Sequence, residues 1–100
     1  MIYEVRTYRL KPNTGPEVVK RFGEAYEKRK KYSELAAFFT TDIGPLNQII
    51  HIWPYKDLNE RAAVRGQAVK DGIWPPKGGE GTLVAQENKI CIPAPFSPLQ

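Results

Sequence analysis

The order of predicted elements in this chain is β-α-β-β-α-β, which is typical of α+β proteins with a ferredoxin-like, split βαβ arrangement. Three observations predict it. Residues 2–10 and 83–92 have strand character, two segments between them start like helices, and a β-hairpin separates those two segments. The expected subunit has a four-stranded antiparallel sheet in the order 4-1-3-2, with both helices on one face.

The first strand is predicted over residues 2–10, where β-branched and aromatic side chains alternate, and Pro12 ends it. The first helix is expected to start near residues 14–16, because a proline is tolerated in the first helical turn and Glu17 lies favourably at the positive end of the helix dipole. One face of this helix carries, at helical spacing, Val18, Val19, Phe22, Ala25, Tyr26 and Arg29.

A run of four basic residues, 28–31, lies near the expected end of this helix. The chain has 15 Lys+Arg against 11 Asp+Glu, a net charge of +4, and this run is its only dense basic feature. Cations are favoured at a helix C-terminus, so the run is interpreted mainly as a solvated helix end, with a phosphate-bearing partner as the less favoured alternative. No nucleic-acid partner is expected.

The hairpin is predicted from two short apolar segments, 35–41 and 48–54, with turn residues between them. Asp57 can then cap a second helix, with Glu60 in the position of a capping-box partner. This helix is expected over residues 58–70, and its apolar stripe is thin.

The last third of the chain is predicted to be a loop, a strand and a tail. Residues 71–82 contain two prolines and four glycines, which disfavour both helix and strand, so a loop anchored by Trp74 is expected. Strand character returns at 83–92 and stops at the prolines of residues 93–100, which are expected to form a tail that lies extended across another surface or is disordered. The 100 residues are expected to form a single domain.

One cysteine, Cys91, and one histidine, His51, restrict the chemistry. A lone cysteine excludes an internal disulfide, and one His with one Cys falls short of the ligands of a typical zinc site, so neither a metal nor another cofactor is expected. No apolar run approaches the roughly 18 residues that a membrane span needs, and no signal-peptide pattern is present. We therefore expect a cytoplasmic protein without a membrane span.

The sheet face away from the helices is expected to be apolar. On the third strand Ile50 and Ile52 share one face, whereas Ile49 and Trp53 share the other. An uncovered apolar sheet face usually marks an interface, so we expect a homodimer in which the sheets pack together.

Three parts of the chain resemble the NIPSNAP family: residues 2–8, residues 39–53, which read FTTDIGPLNQIIHIW, and residues 86–88 with 93–96. The resemblance implies a ferredoxin-like subunit paired into a dimeric α+β barrel, an architecture shared with small cofactor-independent monooxygenases and stress-responsive barrel proteins. Animal members of this family are associated with mitochondria and vesicle trafficking, whereas its short bacterial members have no settled activity.

His51 is the candidate catalytic residue, because it is expected on a central strand beside the strand that carries Glu4, Arg6 and Tyr8. Its reference pKa near 6.5 suits a general base acting on an acidic O–H or C–H group, with Arg6 steadying the resulting anion. The alternative is a structural histidine that is hydrogen-bonded within the dimer interface. Glu4 and Arg6 share a face, and a cross-strand or cross-subunit ion pair is the expected structural role of these charges.

Two functions are consistent with these residues. The first is a homodimeric small-molecule-binding protein. An enzyme that resembles the cofactor-independent monooxygenases is one version of this function. Its pocket would lie between the sheet and the helices, with Arg6, Tyr8 and Trp53 as ligand-binding residues, although core packing is the commoner role for strand aromatics. The second is a non-catalytic protein-interaction domain that uses the outer surface and the proline-rich tail.

Overall fold

The structure is a computed structural model that describes residues 1–76 and 81–100. Its elements follow the predicted order: β1 (Ile2–Leu10), α1 (Gly15–Arg29), β2 (Ala37–Thr40), β3 (Gln48–Tyr55), α2 (Leu58–Lys70) and β4 (Leu83–Cys91). The predicted loop at 71–82 is neither helix nor strand over its described part, and its residues 77–80 lie outside the described residues. The α+β ferredoxin-like arrangement is confirmed.

The four strands form one antiparallel sheet in the order β2-β3-β1-β4, which is the predicted order read from the opposite edge. β1 is central and pairs with both β3 and β4. The register places Arg6 opposite His51 on one side and opposite Asn88 on the other. Since residues paired across a sheet share a face, these three side chains belong to the same face.

Both helices pack on this face. In α1, Arg29 donates a hydrogen bond to the hydroxyl of Tyr55 on β3, and in α2, Arg61 reaches Glu4 on β1. The alternate β3 residues on this face are buried, namely Ile49, His51, Trp53 and Tyr55. Their neighbours Gln48, Ile50, Ile52 and Pro54 are only partly buried on the other face, which we call the open face. The hydrophobic core thus lies between the helices and one face of the sheet.

The second helix starts as predicted. The Glu60 backbone N–H donates to Asp57 Oδ1 over 2.8 Å, and the Glu60 carboxylate accepts from the backbone N–H of Lys56. Within α2 only Ala68 is fully buried, whereas Leu58 and Val69 are largely exposed. Apolar packing therefore holds this helix on the sheet only weakly.

The C-terminal residues 93–100 contain a turn at residues 95–96. The Ser97 backbone N–H donates to the carbonyl of Ala94, and the Gln100 side-chain amide donates to the same carbonyl over 2.9 Å. The Tyr3 hydroxyl in turn donates to the Gln100 carbonyl over 3.0 Å. The prolines prevent ladder pairing, but these bonds fold the segment back toward β1.

Among the described residues, neither helix is long and apolar enough to cross a membrane.

Candidate functional site

A pocket of about 380 Å³ opens between α1, the β1 and β4 half of the sheet, and residues 74–76 and 81–82. We call it the α1 pocket. Its volume lies within the range of small-molecule sites in proteins. Its walls are mainly apolar and aromatic, and the side chains that line it include Tyr8, Arg21, Phe22, Trp74, Leu83 and Gln86.

His51 is fully buried against the rings that line this pocket. Its Nδ1 accepts a hydrogen bond from the indole N–H of Trp53, with 2.8 Å between the two nitrogens. The imidazole stacks on Phe38 with 5.1 Å between ring centroids. Tyr8 and Phe22 meet it edge to face, at 4.9 and 5.3 Å. The histidine therefore belongs to an aromatic cluster beside the pocket and does not itself line it.

Burial lowers the pKa of His51 to about 3, and the positive charges of Arg6 and Arg29 act in the same direction. The ring is therefore neutral at pH 7 and carries one proton. Because Nδ1 accepts from Trp53, that proton is on Nε2, which is buried and has no hydrogen-bond partner within residues 1–76 and 81–100. His51 thus offers a hydrogen-bond donor, and this geometry argues against the general-base role expected from the sequence.

Arg29 is fully buried, so the interpretation of residues 28–31 as a solvated helix end is wrong at this position. Its guanidinium carbon lies 3.8 Å from the Trp53 ring centroid and 4.4 Å from that of Trp74. One of its nitrogens donates to the Tyr55 hydroxyl over 2.8 Å. This stack holds Trp74 in place, in agreement with the expectation that Trp74 anchors the loop that follows α2. Because Trp74 lines the α1 pocket, the stack also holds one wall of that pocket in place.

Glu4 is completely buried and is the centre of a charged network. Its Oε2 atom accepts from Arg61 at 2.7 and 2.6 Å and from Arg6 at 3.3 Å, and Arg65 lies 3.6 Å from Oε1. The Asn88 side chain adds a hydrogen bond over 2.8 Å. Burial alone would raise the pKa of Glu4, but the hydrogen bonds from Arg61 and Asn88 and the nearby positive charges lower it below its usual range. The sequence predicts an ion pair between strands or between subunits, whereas Glu4 pairs with Arg6 on its own strand and with Arg61 and Arg65 on α2.

Arg6 connects this network to the pocket. Its Nε donates to the Tyr8 hydroxyl over 2.8 Å, while Nη1 of the same guanidinium donates to Glu4. The position of the Tyr8 ring in the pocket wall is therefore fixed by a partly buried chain of hydrogen bonds that begins on β1 and ends on α2. Three positive charges around one carboxylate give this part of the sheet an excess of positive charge.

The structure separates the predicted site residues. Tyr8 lines the α1 pocket, Arg6 lies one hydrogen bond behind it, and His51 and Trp53 lie in the adjacent core. His51 is on the helix-covered face, so it does not belong to an interface formed through the open face. The sequence reasoning did not identify Arg21, whose position on α1 carries no motif.

Metal ligands are not grouped in the described part of the chain. No set of three or more His, Cys, Asp or Glu side chains there is placed to hold a metal ion.

The sequence matches the model of the NIPSNAP family over residues 3–98. A protein NipSnap homolog from Dictyostelium discoideum is 36% identical over 94 residues, which are 92% of this chain and 42% of that protein. Protein NipSnap homolog 1 from Danio rerio is also 36% identical, over 99% of this chain and 36% of its own length. The chain therefore spans less than half the length of these curated relatives.

Solved structures of similar length match over the whole fold. A structure from Agrobacterium tumefaciens described as a NIPSNAP family protein with unknown function has a TM-score of 0.89 and 40% identity, over 100% of this chain and 94% of that one. A NIPSNAP-like domain protein from Burkholderia xenovorans has a TM-score of 0.85 and 37% identity, over 97% and 88% of the two chains.

A likeness in fold alone extends further. A Nitrosomonas europaea protein proposed to be an antibiotic biosynthesis monooxygenase has a TM-score of 0.70 over 90% of this chain and 95% of its own, at 11% identity. The family match, the curated relatives and the similar structures agree, and the chain belongs to the NIPSNAP family.

Proposed function

We propose that this NIPSNAP chain is a homodimeric small-molecule-binding protein whose ligand lies in the α1 pocket. The observation that carries the proposal is the pocket itself, because its volume of about 380 Å³ and its aromatic walls are those of a ligand site. Phe22 and Trp74 form one corner, with their ring centroids 5.3 Å apart, and Tyr8 lies 6.3 Å from Phe22.

Two buried contacts keep this pocket in a defined shape before any ligand binds. Arg6 holds Tyr8 through its hydroxyl, and Arg29 holds Trp74 by stacking on it. A preorganised wall favours binding, because less conformational freedom is lost when a ligand arrives. The Tyr8 oxygen accepts the bond from Arg6, so its own hydrogen can be donated to a bound molecule.

We propose that the protein binds a small molecule, but not that His51 acts as a catalytic base. The nitrogen of His51 that could accept a proton is occupied by Trp53, and burial holds its pKa near 3. The likeness to the monooxygenase concerns the fold only, at 11% identity. His51 serves in this account to fix Trp53 and, through Tyr8 and Phe22, to support the pocket walls.

The homodimer is proposed through the open face. Ile50 and Ile52 lie there in a half-buried state, and Phe39 on the neighbouring strand is 54% exposed. β-Branched and aromatic side chains of this kind are usually covered in an assembly. A second copy of the chain, which carries the same face, would cover them and leave both α1 pockets open on the outside.

A screen of aromatic fragments tests the binding proposal. The wild-type protein, labelled with ¹⁵N, is titrated while its two indole N–H signals are followed by NMR. Compounds that enter the α1 pocket should shift the signal of Trp74, which lines the pocket, much more than that of Trp53, which is buried beside it.

Two matched variants make the screen specific for the pocket. Leu83→Trp places a large ring at the pocket wall and should abolish binding of the compounds found, whereas Leu58→Trp adds the same ring on exposed α2 and should leave their affinity unchanged. If compounds bind equally to both variants, the pocket is not their site and the proposed function is wrong.

A protein-interaction domain is the second candidate. It is favoured by two apolar side chains next to and within residues 93–100, since Ile92 is 81% and Phe96 90% exposed. Removal of residues 93–100 should then abolish retention of a specific partner from native lysate while the fold is kept. If the truncated and full chains retain the same proteins, this candidate is excluded.

A further inference from the structure

Among the described residues that line the α1 pocket, one side chain is charged and it is a cation. Four polar side chains line it, Tyr8, Arg21, Thr82 and Gln86, and Arg21 is the only charged group among its described lining residues. A pocket with mainly apolar walls and a single cation is matched to an amphipathic ligand with one negative charge.

Arg21 is held in the pocket wall with unused hydrogen-bonding capacity. Its Nε lies 3.3 Å from Oε1 of Glu17, one turn earlier on α1. Its Nη1 is buried and has no hydrogen-bond partner within the described ranges 1–76 and 81–100. A buried donor without an acceptor costs free energy, and a ligand oxygen that accepted from it would remove that cost.

The Glu17 carboxylate does not cancel this preference. It is 55% exposed, so water screens its charge, whereas the Arg21 side chain is only 27% exposed. Behind the opposite wall, Arg6, Arg61 and Arg65 surround the single carboxylate of Glu4. The Arg21 guanidinium on the α1 wall and the excess positive charge around Glu4 favour an anion over a neutral or cationic molecule.

The other walls define the rest of the ligand. Phe22 and Trp74 meet at an interplanar angle of 75°, and Phe22 and Tyr8 at 63°, so a planar ring in the pocket can make both edge and face contacts with aromatic neighbours. One guanidinium matches one carboxylate in charge and geometry. We propose that the α1 pocket selects an aromatic carboxylate and that Arg21 is the specificity-determining residue that binds its carboxylate group.

This inference rests on the proposed ligand site and is tested by comparing 2-naphthoate with its neutral amide, 2-naphthamide. Affinities are measured by calorimetry, and entry into the pocket is checked by the shift of the Trp74 indole signal. In the wild-type protein the acid should bind at least about tenfold more tightly than the amide, as expected for a hydrogen bond to a charged group.

Substitutions on α1 assign the preference to Arg21. Arg21→Gln should reduce the acid–amide ratio to about one, and Arg21→Lys, which keeps the charge, should restore part of it. Lys20→Gln removes a charge from an exposed neighbour on the same helix and should leave the ratio unchanged. Circular dichroism of every variant should match that of the wild-type protein, which shows that the substitutions leave the fold intact.

The outcomes separate this inference from the proposed function. If acid and amide bind equally while the Trp74 signal shifts, the pocket binds small molecules but does not select carboxylates. If the preference survives in Arg21→Gln, the assignment to Arg21 is wrong. If neither compound binds, the aromatic-carboxylate class is wrong, and the fragment screen with Leu83→Trp decides the proposed function independently.

Discussion

At the residue scale, the hydrogen bond between Trp53 and His51 determines the chemistry of the histidine. A neutral imidazole has one donor and one acceptor nitrogen, and here the acceptor is already occupied. The low pKa has burial as its main cause, so it follows from the fold and not from one removable charge. A residue that resembles a base in the sequence is therefore a buried donor in the structure.

The first prediction concerns this protonation state. Long-range ¹H–¹⁵N NMR at pH 7 should show the tautomer with the proton on Nε2, and the ring should stay neutral as the pH is lowered for as long as the protein is folded. Since this is the only histidine, the assignment is unambiguous. The same protein unfolded in urea is the control, and there the ring should titrate near 6.5.

The protonation of His51 determines how the free energy of unfolding changes with pH. The pKa of His51 is about 3 in the folded state and near 6.5 in the unfolded state, so between these values the unfolded chain binds more protons. The free energy of unfolding should therefore decrease as the pH falls below about 6.5. Below about 4.5 the protonation of Glu4 in the unfolded chain should reduce it further, because the lowered pKa keeps Glu4 ionised in the folded protein. A ring that titrates near 6.5 in the folded protein would contradict this account.

At the element scale, α2 is attached to the sheet mainly by charge. Its apolar stripe is thin, but Arg61 and Arg65, one turn apart, both reach the carboxylate of Glu4. The two contacts differ in quality, because Arg61 makes hydrogen bonds shorter than 3 Å and Arg65 lies 3.6 Å away. Most of the stabilisation should therefore come from Arg61.

The second prediction compares these two arginines. Arg61→Met should lower the free energy of unfolding by about 2 kcal/mol, since it removes charge-assisted hydrogen bonds to a buried carboxylate. Arg65→Met, the matched control on the same helix, should cost about 0.5 kcal/mol or less. Urea denaturation of both variants measures the difference. Equal losses would show that the helix is held by packing and not by this network.

The sequence predicts the features that depend on local patterns, but not the contacts between distant segments. Strand alternation, the capping pair Asp57 and Glu60, and the prolines specify their elements locally, and these predictions are confirmed. Arg29 lies on the apolar face with Phe22, but its burial depends on two tryptophans distant in sequence. Arg21 lines the pocket only because residues 74–76 come to lie opposite α1. Contacts of this kind require the tertiary fold.

At the scale of the whole molecule, the subunit has one face covered by helices and one face open. The helix-covered face carries the charged network and the α1 pocket, whereas Ile50 and Ile52 lie on the open face without a helix over them. The third strand is apolar on both faces because it packs under the helices on one side and, in the proposed dimer, against a second copy on the other.

The third prediction concerns assembly. Sedimentation velocity should show a dimer for the wild-type chain and a monomer for Ile52→Lys, because a lysine in the centre of the packed sheets would be an unpaired charge there. Ile43→Lys is the control, since Ile43 is 91% exposed in the connection between β2 and β3, away from the sheet face. If the wild-type chain sediments as a monomer, or if Ile52→Lys remains a dimer, the open face is not the interface.

The most direct test of the central claim, that the α1 pocket is a small-molecule site, is a crystal structure of the chain with a compound that shifts the Trp74 indole signal. The compound should lie between Tyr8, Phe22 and Trp74, with its polar end at Arg21. A compound bound on the open face or on the C-terminal segment, with the pocket free of it, would contradict the account.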